Sequence, residues 1–216
     1  MSVSVKICGL NSPEAIRTAT TGGARFVGFI FYPPSPRSLS PEEAAPLAAG
    51  VASAAITRVG VFVDPDDATL AATIAKVPLE MLQFHGSETP ARLAAIKDRY
   101  RLKVMKAIKV AGEIDLEAAR EYFAVADWLM FDAKAPPERS GALPGGNALA
   151  FDWELLRRRN WPLPWMLSGG LTVENLAEAT KISRAEIVDV SSGVERRPGE
   201  KDPEKIRAFL ARARAL

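Results

Sequence analysis

Short runs of β-branched, aromatic and other apolar residues recur along the chain and alternate with alanine-rich stretches whose apolar positions repeat at helical spacing. Runs this short and this uniformly apolar fit strands buried on both faces, as in a parallel sheet built from βαβ units. The pattern predicts eight strands: Val3 to Ile7, Phe26 to Phe31, Arg58 to Val63, Met81 to Phe84, Lys103 to Ile108, Trp128 to Phe131, Trp165 to Leu167 and Ile187 to Val190. Helices are expected near Pro13 to Thr21, Pro41 to Ala48, Ala68 to Ala75, Thr89 to Arg99, Asp115 to Ala124, Trp153 to Arg158, Val173 to Thr180 and Pro203 to Ala215. Ser12-Pro13-Glu14, Ser40-Pro41-Glu42 and Asp202-Pro203-Glu204 each set an N-cap residue before a proline at the first helical position, with an acid beside the positive end of the helix dipole. Eight such units fit an α/β fold, a single (β/α)8 TIM barrel, and 216 residues lies near the ~200-residue lower end of that fold. A doubly wound open sheet is the rival, and it ordinarily needs fewer strands. No Pro/Gly/Ser-rich linker divides the chain, so residues 1–216 are expected to form one domain; the long irregular segment from Ala133 to Ala150, with Pro136-Pro137 and Gly145-Gly146, reads as a functional loop.

Charge narrows the partners. Lys and Arg number 28 against 26 Asp and Glu, a formal charge of +2 spread along the chain, which argues against nucleic acid. The longest small-apolar stretch, around Ala44 to Ile56, is interrupted by Pro46, Gly50 and Ser53 and falls short of the ~20 residues a membrane span needs. The start lacks a basic segment followed by an apolar one, so no signal peptide is read, and a cytoplasmic location is expected. One cysteine, Cys8, excludes an internal disulfide and a Cys-based zinc site; one histidine, His85, excludes multi-His metal centres. Chemistry here falls to carboxylates, the thiol, Arg and Lys, or backbone amides, with no metal or cofactor expected.

In a barrel the site is assembled at the C-terminal strand ends. The polar residues there are Cys8, Arg37, Asp64, Gln83, His85, Asp132, Ser168 with Gly169 and Gly170, and Asp189 with Ser191, Ser192 and Gly193. Ser168-Gly169-Gly170-Leu171-Thr172 and Ser191-Ser192-Gly193-Val194-Glu195 each place glycine ahead of a helix, where backbone N–H groups and the helix dipole attract an anion. Gly169, Gly170, Ser192 and Gly193 are therefore candidate phosphate ligands. Asp132 closes an apolar strand, a costly place for an acid that is neither paired nor used. By residue type alone Cys8 reads as a small core hydrophobe, but its place at the mouth argues for use. His85, before Gly86, is expected to hydrogen-bond its loop, and with Gln83 and Asp189 it is a candidate for substrate binding. Arg37 lies on a proline-stiffened loop that aims either inward or at solvent.

Val5-Lys6-Ile7-Cys8-Gly9-Leu10, Gly28-Phe29-Ile30-Phe31-Tyr32 with Ser35-Pro36-Arg37-Ser38, Gly60-Val61-Phe62-Val63-Asp64, Leu82-Gln83-Phe84-His85-Gly86, Phe151-Asp152-Trp153, Ser168-Gly169-Gly170-Leu171 and Val188-Asp189-Val190-Ser191-Ser192-Gly193-Val194-Glu195 together resemble the phosphoribosylanthranilate isomerases of tryptophan biosynthesis. Each motif is weak alone, but in unbroken order they are specific and run from the first strand to the last helix. The resemblance implies an Amadori rearrangement of N-(5-phosphoribosyl)anthranilate to the 1-amino-1-deoxyribulose phosphate. It further implies Cys8 as general base, Asp132 as general acid, Arg37 facing the anthranilate carboxylate, and the seventh and eighth loops holding phosphate, in a monomer or homodimer. Two departures stand out. Gly145-Gly146-Asn147-Ala148 replaces the usual Gly-Gly-Thr-Gly run, and Ser168 precedes the seventh-loop glycines. A histidine-pathway sugar isomerase would be expected to carry Asp at the position of Cys8, an indole-forming synthase would need strand-end lysines in a longer chain, and a non-catalytic phosphate-binding barrel would show no turnover.

An unperturbed thiol is roughly 3% thiolate at pH 7, and an unperturbed Asp is protonated about once in a thousand. Acid–base chemistry by this pair is thus expected to need help from its surroundings, with Lys6 or a helix N-terminus drawing the thiol's pKa down.

Overall fold

The computed structural model describes residues 2–51, 55–134, 145 and 150–216. Pro136, Pro137, Gly146, Asn147 and Ala148 lie outside the described residues. Eight parallel strands close into a barrel in the order β1-β2-β3-β4-β5-β6-β7-β8: β1 Ser4–Cys8, β2 Phe26–Phe31, β3 Thr57–Phe62, β4 Met81–Phe84, β5 Lys103–Val110, β6 Trp128–Ala133, β7 Trp165–Leu167 and β8 Ile187–Val190. Closure is made by β1 against β8, with Lys6 beside Asp189 and Ile7 beside Val190. The helices are α1 Pro13–Thr21, α2 Pro41–Ala49, α3 Asp67–Lys76, α4 Pro90–Tyr100, α5 Glu113–Glu117, α6 Glu154–Arg157, α7 Leu176–Ser183 and α8 Pro203–Arg214. The fold is a (β/α)8 TIM barrel.

All three N-cap signals act as expected. Ser12 accepts from the Ala15 amide, Ser40 forms a reciprocal capping box with Glu43, and Asp202 accepts from the Glu204 and Lys205 amides. Where the elements differ from expectation, local hydrogen bonding decides. β5 and β6 pair beyond their apolar runs, through Lys109 with Asp132 and Val110 with Ala133, because a ladder needs backbone groups and not apolar side chains. Asp115 accepts from the amides of Ala111 and Gly112, so α5 starts early, and a 3₁₀ turn over Ala118–Tyr122 completes the segment expected as one helix. Thr172 and Asn175 bond each other across a turn, delaying α7 to Leu176. An unexpected antiparallel hairpin, β9 Glu195–Arg197 with β10 Glu200–Lys201, precedes α8.

Alternation along each strand separates two cores. One set, including Phe29, Phe62, Phe84 and Phe131, is buried against the helices. The other fills the barrel, with Met81, Met105, Met130 and Met166 beside Val59, Val61 and Phe26. Above this interior packing, the same inward positions of the strands turn polar, and there the mouth begins. Among the described residues no helix is long and apolar enough to cross a membrane.

Candidate active site

Cys8, Arg37, Gln83, His85, Asp132, Gly169, Gly170, Asp189 and Ser192 line one cavity at the C-terminal mouth, together with apolar Ile30, Val61, Val63 and Leu171. Of the residues expected there, Gly193 stands apart. It packs against the Leu171 carbonyl so closely that a Cβ would not fit, which sets it to bracing one loop against the other. Asp64 also turns away, accepting from the Ser87 amide at 2.7 Å.

Cys8 ends β1 two residues after Lys6, so both side chains face inward. Lys6 is fully buried and donates to Asp189 Oδ1 at 2.8 Å, while Ser168 Oγ donates to Asp189 Oδ2 at 3.0 Å. Burial alone would strip the charge from Lys6, yet Asp189 and the thiol prevail and hold its pKa above the ordinary value. At Cys8 burial wins instead. It pushes the thiol pKa up with help from Asp189, against the pull of Lys6 and Lys201. The expectation of a depressed thiol is corrected accordingly: Lys6 acts with the expected sign, but desolvation outweighs it.

On the opposite wall, Gln83 Nε2 donates to His85 Nδ1 at 3.1 Å, which leaves the His85 proton on Nε2, 3.0 Å from Asp132 Oδ2. The His85 side chain thus bonds Asp132, not its loop. Asp132 Oδ1 accepts from the Ala133 amide at 3.0 Å. Backbone crowds this carboxylate: a methyl on Gly145 would come within 2.9 Å of Oδ2, and one on Gly169 within 3.1 Å of Oδ1. Among the described residues Gln83 Oε1 is buried without a partner, an acceptor left over at the edge of the cavity. Behind His85, Lys106 donates to the Gly86 carbonyl at 2.7 Å and to Glu88 at 2.8 Å, and Glu88 in turn accepts from the Asp64 and Gly86 amides. This buried pair fixes the backbone that carries the histidine.

Arg37 points inward and is gripped by Glu195, Nε to Oε1 at 2.7 Å and Nη2 to Oε2 at 2.8 Å. Lys201 donates to the same Oε1 at 2.6 Å and to the Ser191 carbonyl at 2.9 Å. Burial would raise the Glu195 pKa, but the Arg37 and Lys201 partners outweigh it and hold it below the usual carboxylate value. Across the mouth, Gly169 and Gly170 sit at φ +94° and +60°, where glycine alone is at ease. Glu195 and Lys201 are the site residues that sequence reasoning missed. Glu195 was visible only as the end of a loop motif, and Lys201 sits in a charged hairpin without apolar alternation. Among the described residues no cluster of His, Cys, Asp or Glu is placed to hold a metal.

A TIM barrel whose mouth faces a thiol and a carboxylate across one cavity, beside glycine loops and an inward guanidinium, defines an acid–base enzyme acting on an anionic small molecule. Comparison with known proteins makes this specific. Residues 5–212 match the sequence model of N-(5'phosphoribosyl)anthranilate (PRA) isomerase. N-(5'-phosphoribosyl)anthranilate isomerase of Paracoccus denitrificans is 55% identical over 215 residues, covering 100% of this chain and 99% of the relative. Its counterpart in Paramagnetospirillum magneticum is 54% identical over 214 residues, 99% and 98% of the two chains. The crystal structure of phosphoribosyl anthranilate isomerase from Thermotoga maritima superposes with a TM-score of 0.85 at 36% identity, over 99% of this chain and 100% of that one. A phosphoribosyl anthranilate isomerase in complex with reduced 1-(o-carboxyphenylamino)-1-deoxyribulose 5-phosphate superposes at 0.82 with 35% identity and the same coverage. The chain belongs to the N-(5'-phosphoribosyl)anthranilate isomerase family. Its reaction is the aldose–ketose type isomerisation of tryptophan biosynthesis.

Proposed function

We propose that Cys8 and Asp132 are the base and acid of this isomerisation, with Arg37 receiving the anthranilate carboxylate and the seventh and eighth loops the phosphate. The observation that carries the reading is the placement of the two groups on opposite walls of one cavity, each with its own buried support: Lys6 behind the thiol, His85 behind the carboxylate. The carboxylic acid of Asp132 gives its proton to the ribose ring oxygen as the C1–O bond breaks. That bond's electron pair stays on the oxygen, and the nitrogen lone pair closes the C1=N bond of a protonated imine. The Cys8 thiolate then takes the C2 proton, and the C2–H electrons form the enolamine, which tautomerises to the ketose. Burial makes the thiolate a minority form, and Lys6 favours it. Gln83, through its unpartnered Oε1, His85 and Asp189 complete the substrate contacts.

Two of the five Arg37 N–H groups are spent on Glu195, leaving the rest for a carboxylate. The amides of Gly169, Gly170 and Ser192 supply the phosphate cradle, and Gly193 keeps the two loops together. The substrate is a phosphosugar and not a nucleic acid, and we place the enzyme in the cytoplasm as a monomer or homodimer; the Thermotoga maritima relative is described as dimeric. A crystal soaked with the reduced product tests the assignment. The phosphate is expected on the amides of Gly169, Gly170 and Ser192 and the carboxylate against Arg37. A phosphate bound reproducibly elsewhere in the mouth, with these amides bonded within the protein, overturns it.

A further inference from the structure

Arg37, Glu195 and Lys201 are all buried, at 3%, 6% and 7% exposure, in the wall between the two regions assigned to the substrate's anions. One carboxylate serves two cations, so the trio carries a net positive charge. Lys201 has nothing left to offer a ligand: its three protons go to Glu195 Oε1, the Ser191 carbonyl and Ser191 Oγ. Both of those serine acceptors belong to loop eight, one residue before Ser192. The hairpin carrying Glu195 and Lys201 is also braced against the Arg37 loop. Asn11 donates to the Gly199 carbonyl at 2.8 Å, and Gly199, at φ +85°, lies so close beneath the Pro36 carbonyl that a methyl would come within 2.5 Å of it.

We propose that Lys201 is a positioning residue that couples the two anion subsites: through Glu195 it holds Arg37 toward the carboxylate, and through Ser191 it holds loop eight toward the phosphate. The proposal rests on the assignment of those subsites above. Its electrostatic half is direct. Without Lys201, Glu195 is matched one to one with Arg37, and the guanidinium presents a neutralised pair to an incoming carboxylate. Its geometric half is the Ser191 carbonyl, which loses its buried donor and with it the anchor of the loop.

The test is inhibition by two substrate fragments, anthranilate for one end and ribose 5-phosphate for the other, in Lys201→Met. Both inhibition constants are expected to rise by about fivefold or more, and KM by about tenfold, with kcat within about threefold, the pattern of lost ground-state binding. Arg37→Met is expected to weaken anthranilate alone. If Arg37→Met leaves anthranilate inhibition unchanged, the carboxylate assignment falls and the proposal falls with it. If Arg37→Met weakens anthranilate while Lys201→Met changes neither fragment and only lowers the melting temperature, Lys201 is structural and the proposal alone is overturned. Should Lys201→Met not fold, Lys201→Gln, which removes the charge but keeps an N–H donor for the Ser191 carbonyl, reads the electrostatic link. Anthranilate inhibition is expected to weaken with ribose 5-phosphate within about twofold of wild type, and unchanged anthranilate inhibition overturns the coupling.

Discussion

Replacing Lys6 with methionine removes a cation from beside the Cys8 thiol while keeping most of the side-chain volume. A point above Gly28, where a Cβ would stand, is 3.0 Å from Cys8 Sγ and 3.1 Å from Lys6 Nζ, so the two atoms are at most 6.1 Å apart. At an effective dielectric of ~20, a unit charge at about 6 Å is worth about 3 kcal/mol to a thiolate, or roughly two pH units. The sign is upward, because the lost charge favoured the anion, and it adds to a thiol that burial has already raised. Below its pKa the thiolate fraction should fall roughly 100-fold, and kcat/KM with it, recovering as pH rises through the displaced value. Lys6→Met also strands Asp189 in the interior, at a stability cost of about 3–5 kcal/mol. Adding Asp189→Asn should return much of that stability. The thiol pKa should stay above wild type, since Lys6 is the larger of the two opposing charges at the sulfur. Cys8 is the only cysteine in the chain, so the pH dependence of iodoacetamide alkylation, followed by mass spectrometry, reads this thiol alone. An alkylation midpoint in Lys6→Met equal to or below that of wild type would refute the electrostatic link.

Cys8→Ala should lower turnover by roughly 10² or more with KM little changed; near-native turnover removes the thiol from the chemistry. Asp132→Asn keeps the shape and an acceptor for His85 but supplies no proton, so kcat should fall by roughly 10²–10⁴, whereas His85→Asn, which removes a support and a substrate contact but no proton donor to the ring oxygen, should cost kcat much less. The reverse ranking in steady-state assays makes the histidine the acid.

The elements legible in the sequence are those whose cause is local. A serine or aspartate before proline caps a helix wherever the chain goes, and α1 spans Pro13–Thr21 as its cap and composition indicate. Strands β2, β4, β7 and β8 are apolar runs bounded by breakers and fall where the pattern places them. The residues that line the cavity were legible as strand ends, since Cys8, Asp132 and the seventh-loop glycines all sit where the topology brings them to one mouth. What escaped depends on distant partners. The grip of Glu195 on Arg37 spans 158 positions, and the β9–β10 hairpin hides in charged residues that show no alternation. The direction of the thiol shift escaped for the same reason: sequence shows Lys6 two positions away, whereas the depth of burial that outweighs it is a property of the closed barrel.

Barrel interiors are commonly filled by branched aliphatic side chains, yet this one carries the four methionines at positions 81, 105, 130 and 166, all at 1% exposure or less. Thioethers so enclosed are shielded from peroxide until the strands part, and a sulfoxide formed inside would lodge a polar, chiral group where nothing can solvate it. The rate at which these sulfurs oxidise under increasing denaturant therefore keeps time for the opening of the barrel itself, separately from fraying of the outer helices. Met130 extends the consequence to the chemistry. Its sulfur accepts from Gln83 Nε2 at 3.3 Å, so oxidative damage there would reach through Gln83 and His85 to Asp132, and turnover and barrel stability should be lost together.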